Sequence, residues 1–258
     1  MIPAPRKRFG QHFLRDCAII DRVLAAIDPK PNQFIVEIGP GRGALTLPLL
    51  DRGCTLHAIE LDRDLAAHLP AMAAGRGELI LHQADAVTFD FSALAAGKRL
   101  RVVGNLPYNV STPLLFHLID QIDAIEDMTF MLQKEVAARL AAPPGTKTYG
   151  RLSVMVQWRC DVEQLFDVAP DAFVPPPNVF SSVLRLRPRQ SPLAVGDAQR
   201  FHDIVRAAFG QRRKTLRNSL RLLLDEAVFE RAGIDSRRRA EELTLDEFAQ
   251  LARGAVTD

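Results

Sequence analysis

The sequence predicts a doubly wound α/β sheet followed by a small all-helical domain, and three observations carry that expectation. An apolar run, Phe34–Ile38, stops at Gly39-Pro40-Gly41-Arg42-Gly43, and an apolar stripe at helical spacing follows, Leu45, Leu49 and Leu50. Further strand ends downstream each carry a polar residue, in turn Glu60, Asp85 and Asn105. Beyond Pro188 to Pro192 the pattern becomes purely helical. The expected domains are residues 1–188 for the sheet and 189–258 for the helices.

Residues 1–16 form a basic, aromatic arm with Arg6-Lys7-Arg8-Phe9-Gly10-Gln11-His12-Phe13-Leu14, and Phe9, Phe13 and Leu14 suggest that it docks. From Asp16, a candidate N-cap, the stripe Ile19, Ile20, Val23, Leu24 and Ile27 predicts a helix that Pro29 and Pro31 end. Strand Phe34–Ile38 then runs into the glycine turn. Its spacing is GxGxG, not the GxGxxG of dinucleotide enzymes. Such a turn lets a ligand approach main-chain N–H groups at a helix N-terminus, although an ordinary strand-to-helix turn gives the same pattern.

The helix after the turn ends near Gly53, and strand Thr55–Ile59 closes on Glu60, 21 residues after Gly39. An acidic residue about 20 positions downstream, at the tip of the second strand, is placed to accept hydrogen bonds from ribose hydroxyls. A helix from Asp64, strand Leu79–His82 with Asp85 past its end, and strand Arg101–Val103 with Gly104-Asn105-Leu106-Pro107-Tyr108 follow. In an open parallel sheet, ligands bind in the crevice outside these strand ends. Asp127–Leu132 reads as a fifth strand, with a helix from about Lys134 to Ala142 and another around Leu152–Trp158. Val162–Val168 and Val179–Leu186 read as strands closing the sheet. In the second domain Phe201, Ile204, Val205, Ala208 and Phe209 form one stripe, and Leu216, Leu220, Leu223 and Leu224 the next. There is no internal repeat.

Composition narrows the function classes. With 47% hydrophobic and 25% charged residues this is an ordinary globular chain. No apolar run approaches the roughly 18 residues that span a bilayer, and nothing behind Arg6-Lys7-Arg8 resembles a signal peptide. The three cysteines, Cys17, Cys54 and Cys160, form no CxxC pair, so reduced thiols in a cytoplasm are expected. The six scattered histidines indicate no metal site. The net charge of +2 conceals a division: residues 185–221 carry +8 and residues 222–258 carry −4. The basic block is a candidate phosphate-contacting surface or a solvated helix face. Its centre is the turn Arg212, Arg213, Lys214, with Arg217 and Arg221 beyond.

Asn105-Leu106-Pro107-Tyr108 suits one chemistry closely, although Asn and Pro are also common turn formers. The exocyclic amine of adenine is a poor nucleophile because its lone pair is delocalised into the ring. Two acceptors, the Asn105 side-chain oxygen and a backbone carbonyl beside Pro107, can bind both amine hydrogens and favour a pyramidal nitrogen. Tyr108 offers a flipped base an aromatic face. With a sulfonium methyl donor, positioning and desolvation carry the rate, and no metal is needed.

These segments occur in a characteristic order. Gln11-His12-Phe13-Leu14, Glu37 to Gly43, Glu60-Leu61-Asp62, Asn105 to Tyr108, Phe173-x-Pro175-x-Pro177-x-Val179-x-Ser181 and Phe209 to Leu216 together resemble the ribosomal RNA adenine dimethyltransferases over nearly the whole chain. The likeness is greatest to the bacterial small-subunit type, which dimethylates two adjacent adenosines near the 3′ end of the RNA. The resemblance implies a Rossmann-like methyltransferase sheet with S-adenosylmethionine across the strand tips. His12, Leu14, Gly39, Gly41, Glu60, Asp85 and Asn105 fall at cofactor-binding positions, Asp85 toward the adenine amine and Glu60 toward the ribose. His12 stands where the family often has Asn, which leaves open whether its side chain or its backbone serves. Phe13 and Phe173 would flank the target base with Tyr108. The expected partner is small-subunit ribosomal RNA in a partly assembled particle, with no membrane, and the chain is expected to be a monomer. Two alternatives share much of this pattern: a large-subunit RNA methyltransferase of the antibiotic-resistance type, usually with Ile at the Leu106 position, and a non-catalytic RNA-binding assembly factor.

Overall fold

The computed structural model describes residues 5–6, 10–108, 110–211 and 213–255. In chain order the elements are β1 (Phe13–Leu14), α1 (Cys17–Ile27), β2 (Phe34–Ile38), α2 (Thr46–Asp51), β3 (Thr55–Glu60), α3 (Arg63–Ala73), β4 (Glu78–Gln83), α4 (Phe91–Ala95), β5 (Leu100–Asn105), α5 (Ser111–Asp120), β6 (Ile125–Gln133), α6 (Lys134–Leu140), α7 (Arg151–Arg159), β7 (Cys160–Val168), β8 (Phe173–Val174), β9 (Ser181–Pro188), α8 (Ala198–Gly210), α9 (Leu216–Ser219), α10 (Glu226–Ala232) and α11 (Leu245–Gly254).

The main sheet runs β4-β3-β2-β5-β6-β9-β7. Strands β2 to β6 pair in parallel, and β9 pairs antiparallel with β6. The chain leaves β2 to one side through β3 and returns on the other as β5. The tips of β2 and β5 therefore form the point where the winding reverses, and a crevice opens there. Close approach at this point requires glycine: a Cβ on Gly104 would lie 2.5 Å from the Ile38 carbonyl oxygen.

Local chemistry sets the element ends as the sequence suggests. Asp16 caps α1, its carboxylate accepting from Ile19 N at 3.1 Å. Behind the sheet Arg101 pairs with Asp127 through Nε and Nη2 at 3.0 and 2.9 Å and donates to the Ile27 carbonyl at 2.6 Å, tying β5 and β6 to the end of α1.

The chain divides into two compact units, Met1–Ala137 with Val162–Pro188, and Ala138–Asp161 with Arg189–Asp258. One division between the units falls at Pro188. The expected 1–188 domain nevertheless gives up residues 138–161, because α7 packs with the C-terminal helices. Trp158 lies against Phe201 at 4.9 Å between ring centroids and donates from Nε1 to Leu193 O at 2.9 Å. In the same unit Phe209 sits between Tyr149 and Phe248, at 6.0 and 5.7 Å. The second leucine stripe is not one helix: α9 stops at Ser219, Leu216, Leu220 and Leu224 are buried, and Leu222 in the following turn is 89% exposed.

Candidate active site

A cleft at the tips of β2, β3 and β5 is lined by His12, Phe13, Leu14, Gly39, Gly41, Glu60, Asp85, Asn105, Leu106, Pro107 and Tyr108, among others. The glycine turn forms its floor. Gly41 has φ +57°, and its N–H donates to Glu60 Oε2 at 3.1 Å. Glu60 Oε1 accepts from Asp62 N at 2.9 Å. The carboxylate is thus held in place by backbone donors, with Leu61 a further one. Burial pushes the Glu60 carboxyl above its ordinary range, against these backbone hydrogen bonds. Asp85 is exposed past the end of β4, with Oδ1 accepting from Val87 N at 2.9 Å.

The N-terminal arm supplies one wall. β1 pairs antiparallel with β8, Phe13 opposite Val174 and Leu14 opposite Phe173. Arg6 and Gln11 reach the buried Asp62 at 2.8 and 3.0 Å. Asn105 Nδ2 donates to the His12 carbonyl at 3.0 Å, which orients the amide so that Oδ1 is the acceptor left over. Leu106 N donates to Met131 O at 3.0 Å, and Pro107 O accepts from Val110 N at 3.2 Å. Of the carbonyls beside Pro107, that of Leu106 therefore remains as the second acceptor.

The Tyr108 hydroxyl shares a hydrogen bond with Ser181 Oγ at 2.7 Å, and burial pushes its pKa above the ordinary phenol value, so it stays protonated. The His12 imidazole stacks on the Tyr108 ring, 5.5 Å between centroids and 28° between planes, and its Nδ1 donates to Pro175 O at 2.8 Å. The Arg42 guanidinium lies 4.4 Å from the Phe13 ring centroid, over one face of that ring.

Phe173 does not join this group. It is 1% exposed and belongs to the hydrophobic cluster of Leu14, Val103, Met131 and Val183, so the structure places it in the core rather than at a stacking face. The basic residues belong to the other unit. Arg213, Lys214, Arg217 and Arg221 are exposed, with Arg217 Nε 3.6 Å from Glu226, and Arg212 lies outside the described residues. No group of three metal-ligating side chains occurs among the described residues.

Three functional neighbours had no role assigned from the sequence. Ser181 anchors Tyr108, and Asp62 anchors the arm; both stand in the motifs quoted above, but their contacts span long sequence separations that no local pattern shows. Glu37 is 2% exposed, bonded by the Thr46 hydroxyl at 2.6 Å, and burial pushes its carboxyl up to about 7. Its one visible signal is an acidic residue inside an apolar strand.

Known proteins share this architecture from end to end. The family model described as "Ribosomal RNA adenine dimethylase" matches residues 4–255. The "Ribosomal RNA small subunit methyltransferase A" of Methylococcus capsulatus is 57% identical over 249 residues, covering 96% of this chain and 97% of that protein. The protein of the same name from Nitrosococcus oceani is 58% identical over 250 residues, covering 96% and 95%. Among solved structures, a dimethyladenosine transferase from Plasmodium falciparum superposes with a TM-score of 0.79 at 25% identity, covering 93% of this chain and 96% of the other. The 23S rRNA methyltransferase ErmE gives a TM-score of 0.71 at 26% identity, covering 94% and 98%.

Proposed function

Because this chain belongs to the ribosomal RNA adenine dimethylase family, we propose that its strand-tip cleft holds S-adenosylmethionine and directs methyl groups onto the exocyclic N6 of two adjacent adenosines near the 3′ end of small-subunit ribosomal RNA. The protein is an rRNA adenine dimethyltransferase. Relatives at 57–58% identity carry the small-subunit name, against 26% for the large-subunit enzyme, and this favours the small-subunit substrate.

The cleft suits a nucleoside bearing a positive sulfonium. Carboxylates stand at the tips of β3 and β4, and the walls between them are apolar, with Ile59, Leu61, Val87 and Leu106. Glu60 would take the ribose hydroxyls, Asp85 the adenine amine, and the Gly39–Gly41 turn the close approach of the ligand to the backbone. When bound, S-adenosylmethionine supplies a methyl group on sulfur, and the sulfur leaves as a neutral thioether carrying the bonding pair.

The chain's own part is to position the nucleophile. Asn105 Oδ1 and Leu106 O would accept the two amine hydrogens and aim the nitrogen lone pair, and Tyr108 would support the base by stacking. The proton lost from nitrogen on methylation passes along one of these acceptors to water. After one methyl transfer a single N–H remains, and either acceptor can hold it for the second. Asn105 Nδ2 bonded to His12 O is the observation that carries this reading, since it fixes which end of the amide faces the substrate.

The RNA's remaining contacts are assigned to the exposed basic residues Arg213, Lys214, Arg217 and Arg221, joined by Arg212. We place the protein as a monomer in the cytoplasm, acting on a partly assembled small subunit. No helix among the described residues is long and apolar enough to cross a membrane. Incubation with unmodified small subunits and labelled cofactor tests the reading: label in adenosine supports it, and an unlabelled particle overturns it.

A further inference from the structure

One aromatic side chain at the rim of the sheet has no role in the cleft. Phe180 is 50% exposed and its neighbour Val179 45%, whereas most large apolar side chains are buried. Sheet register sets its place. Asn105 on β5 lies opposite Met131 on β6, and Gln133 on β6 lies opposite Ser181 on β9. Phe180 is therefore one step past the paired residues, at the end where β5 and β6 finish and the cleft opens. Lys134 N donates to its carbonyl at 2.9 Å, which fixes the backbone there. The next residue, Ser181, is buried and bonds the Tyr108 hydroxyl at 2.7 Å. Phe180 thus stands one residue from the group that holds Tyr108.

We propose that Phe180 is a second stacking platform, which takes the base of the nucleotide next to the target adenosine while the target occupies the cleft at Tyr108. The inference rests on the RNA-methylating reading above. Flipping a base out of its stack deprives its neighbour of a stacking partner, and an aromatic face at the rim replaces it. The surroundings suit a base better than an apolar protein face. The patch is only two side chains wide, and along the chain it adjoins the buried Ser181 that bonds Tyr108. The Lys134 ammonium lies over one face of the ring, 5.9 Å from the Phe180 centroid, which leaves the other face for a base. Asp167 neutralises that ammonium at 2.5 Å, so the platform offers stacking without a net charge for a phosphate. Stacking reads the face of a base and not its hydrogen-bonding edge. Phe180 can therefore receive an adenosine before or after dimethylation, which lets the cleft process one of two adjacent adenosines and then the other.

The test uses the full chain with Phe180→Ala, Phe180→Leu or Phe180→Tyr, unmodified small subunits as substrate, and KM, kcat and salt dependence as readouts. Loss of one base–aromatic stack should raise KM for the particle about tenfold in the Ala and Leu variants, with Tyr restoring it. The slope of log KM against log salt should not change, because no phosphate contact is lost. Calorimetric cofactor affinity should also stay at the wild-type value. Phe180→Leu behaving as wild type, or a flattened salt slope in Phe180→Ala, would overturn the platform. A wild-type dimer in sedimentation that Phe180→Ala dissolves would assign the patch to a second copy instead. An inactive wild type removes the parent reading, whereas an active wild type with an unaffected Ala variant removes only this one.

Discussion

The side-chain amide of Asn105 donates from Nδ2 to the main-chain oxygen of His12 at 3.0 Å, across 93 residues of sequence. The contact ties the N-terminal arm to the tip of β5 and sets the direction of the amide. At position 12 this contact comes from the backbone, so it does not depend on the side chain there. The imidazole stacks on Tyr108 while its Nδ1 donates to Pro175 O.

Glu60 links the cofactor's expected ribose to the glycine turn. Glu60→Ala removes the ribose acceptors and leaves the N–H groups of Gly41 and Asp62 without their carboxylate. Cofactor binding should weaken by about 1.5–3 kcal/mol, the scale of charge-assisted hydrogen bonds. Calorimetry checks it, and an unchanged affinity removes Glu60 from the site.

Tyr108 is expected to act by its ring. Tyr108→Phe keeps the aromatic face and gives up only the 2.7 Å bond to Ser181, so most activity should remain. Tyr108→Ala should lose most of it. Equal loss in both variants would make the hydroxyl the working group and contradict the stacking role.

Glu37 gives the protein a pH signature. Its folded value of about 7 lies above the ordinary 4.5, so the folded state holds the proton more tightly than the unfolded chain does. Stability from this group is fully present below pH 4.5 and falls as pH rises toward 7, by an amount on the order of 3 kcal/mol. Glu37→Gln retains an acceptor for Thr46 and removes the titration. The stability of Glu37→Gln relative to wild type, from urea unfolding, should therefore grow with pH across this window. Histidines 57 and 82, held below their usual range chiefly by burial, titrate alike in both proteins and cancel. A difference independent of pH would contradict the assignment.

The basic turn is expected to bind phosphate. Replacing Arg212, Arg213 and Lys214 together should flatten the log-affinity against log-salt slope by about 2–3 units, if each neutralises one phosphate. Cofactor affinity should not move. An unaltered slope would reduce the cluster to a solvated turn.

What was legible in the sequence follows the physics of each feature. Strands β2 to β6 were visible because each is an apolar run bounded by turn residues. The site residues at their tips were visible because a parallel sheet brings successive strand ends together. The pairing of β1 with β8 was not, since two-residue strands carry no period. Helices α4 and α5 also went unassigned: α4 has five residues, and α5 begins in a polar stretch after Tyr108. The stacking role expected of Phe173 comes from the family resemblance alone. Its burial and its ladder to Leu14, which place it in the core, depend on contacts distant in sequence. The place of residues 138–161 depends on packing between distant helices, which composition alone does not reveal.

The central claim is that Asn105 Oδ1 and Leu106 O hold the adenine amine for two successive methylations. Nuclease digestion and mass analysis of unmodified small subunits treated with the purified chain and S-adenosylmethionine test it most directly. Wild type should give two N6,N6-dimethyladenosines per particle, and Asn105→Ala should give none while still binding RNA. A product that stops at one methyl per base, or dimethylation by Asn105→Ala at the wild-type rate, would contradict the account.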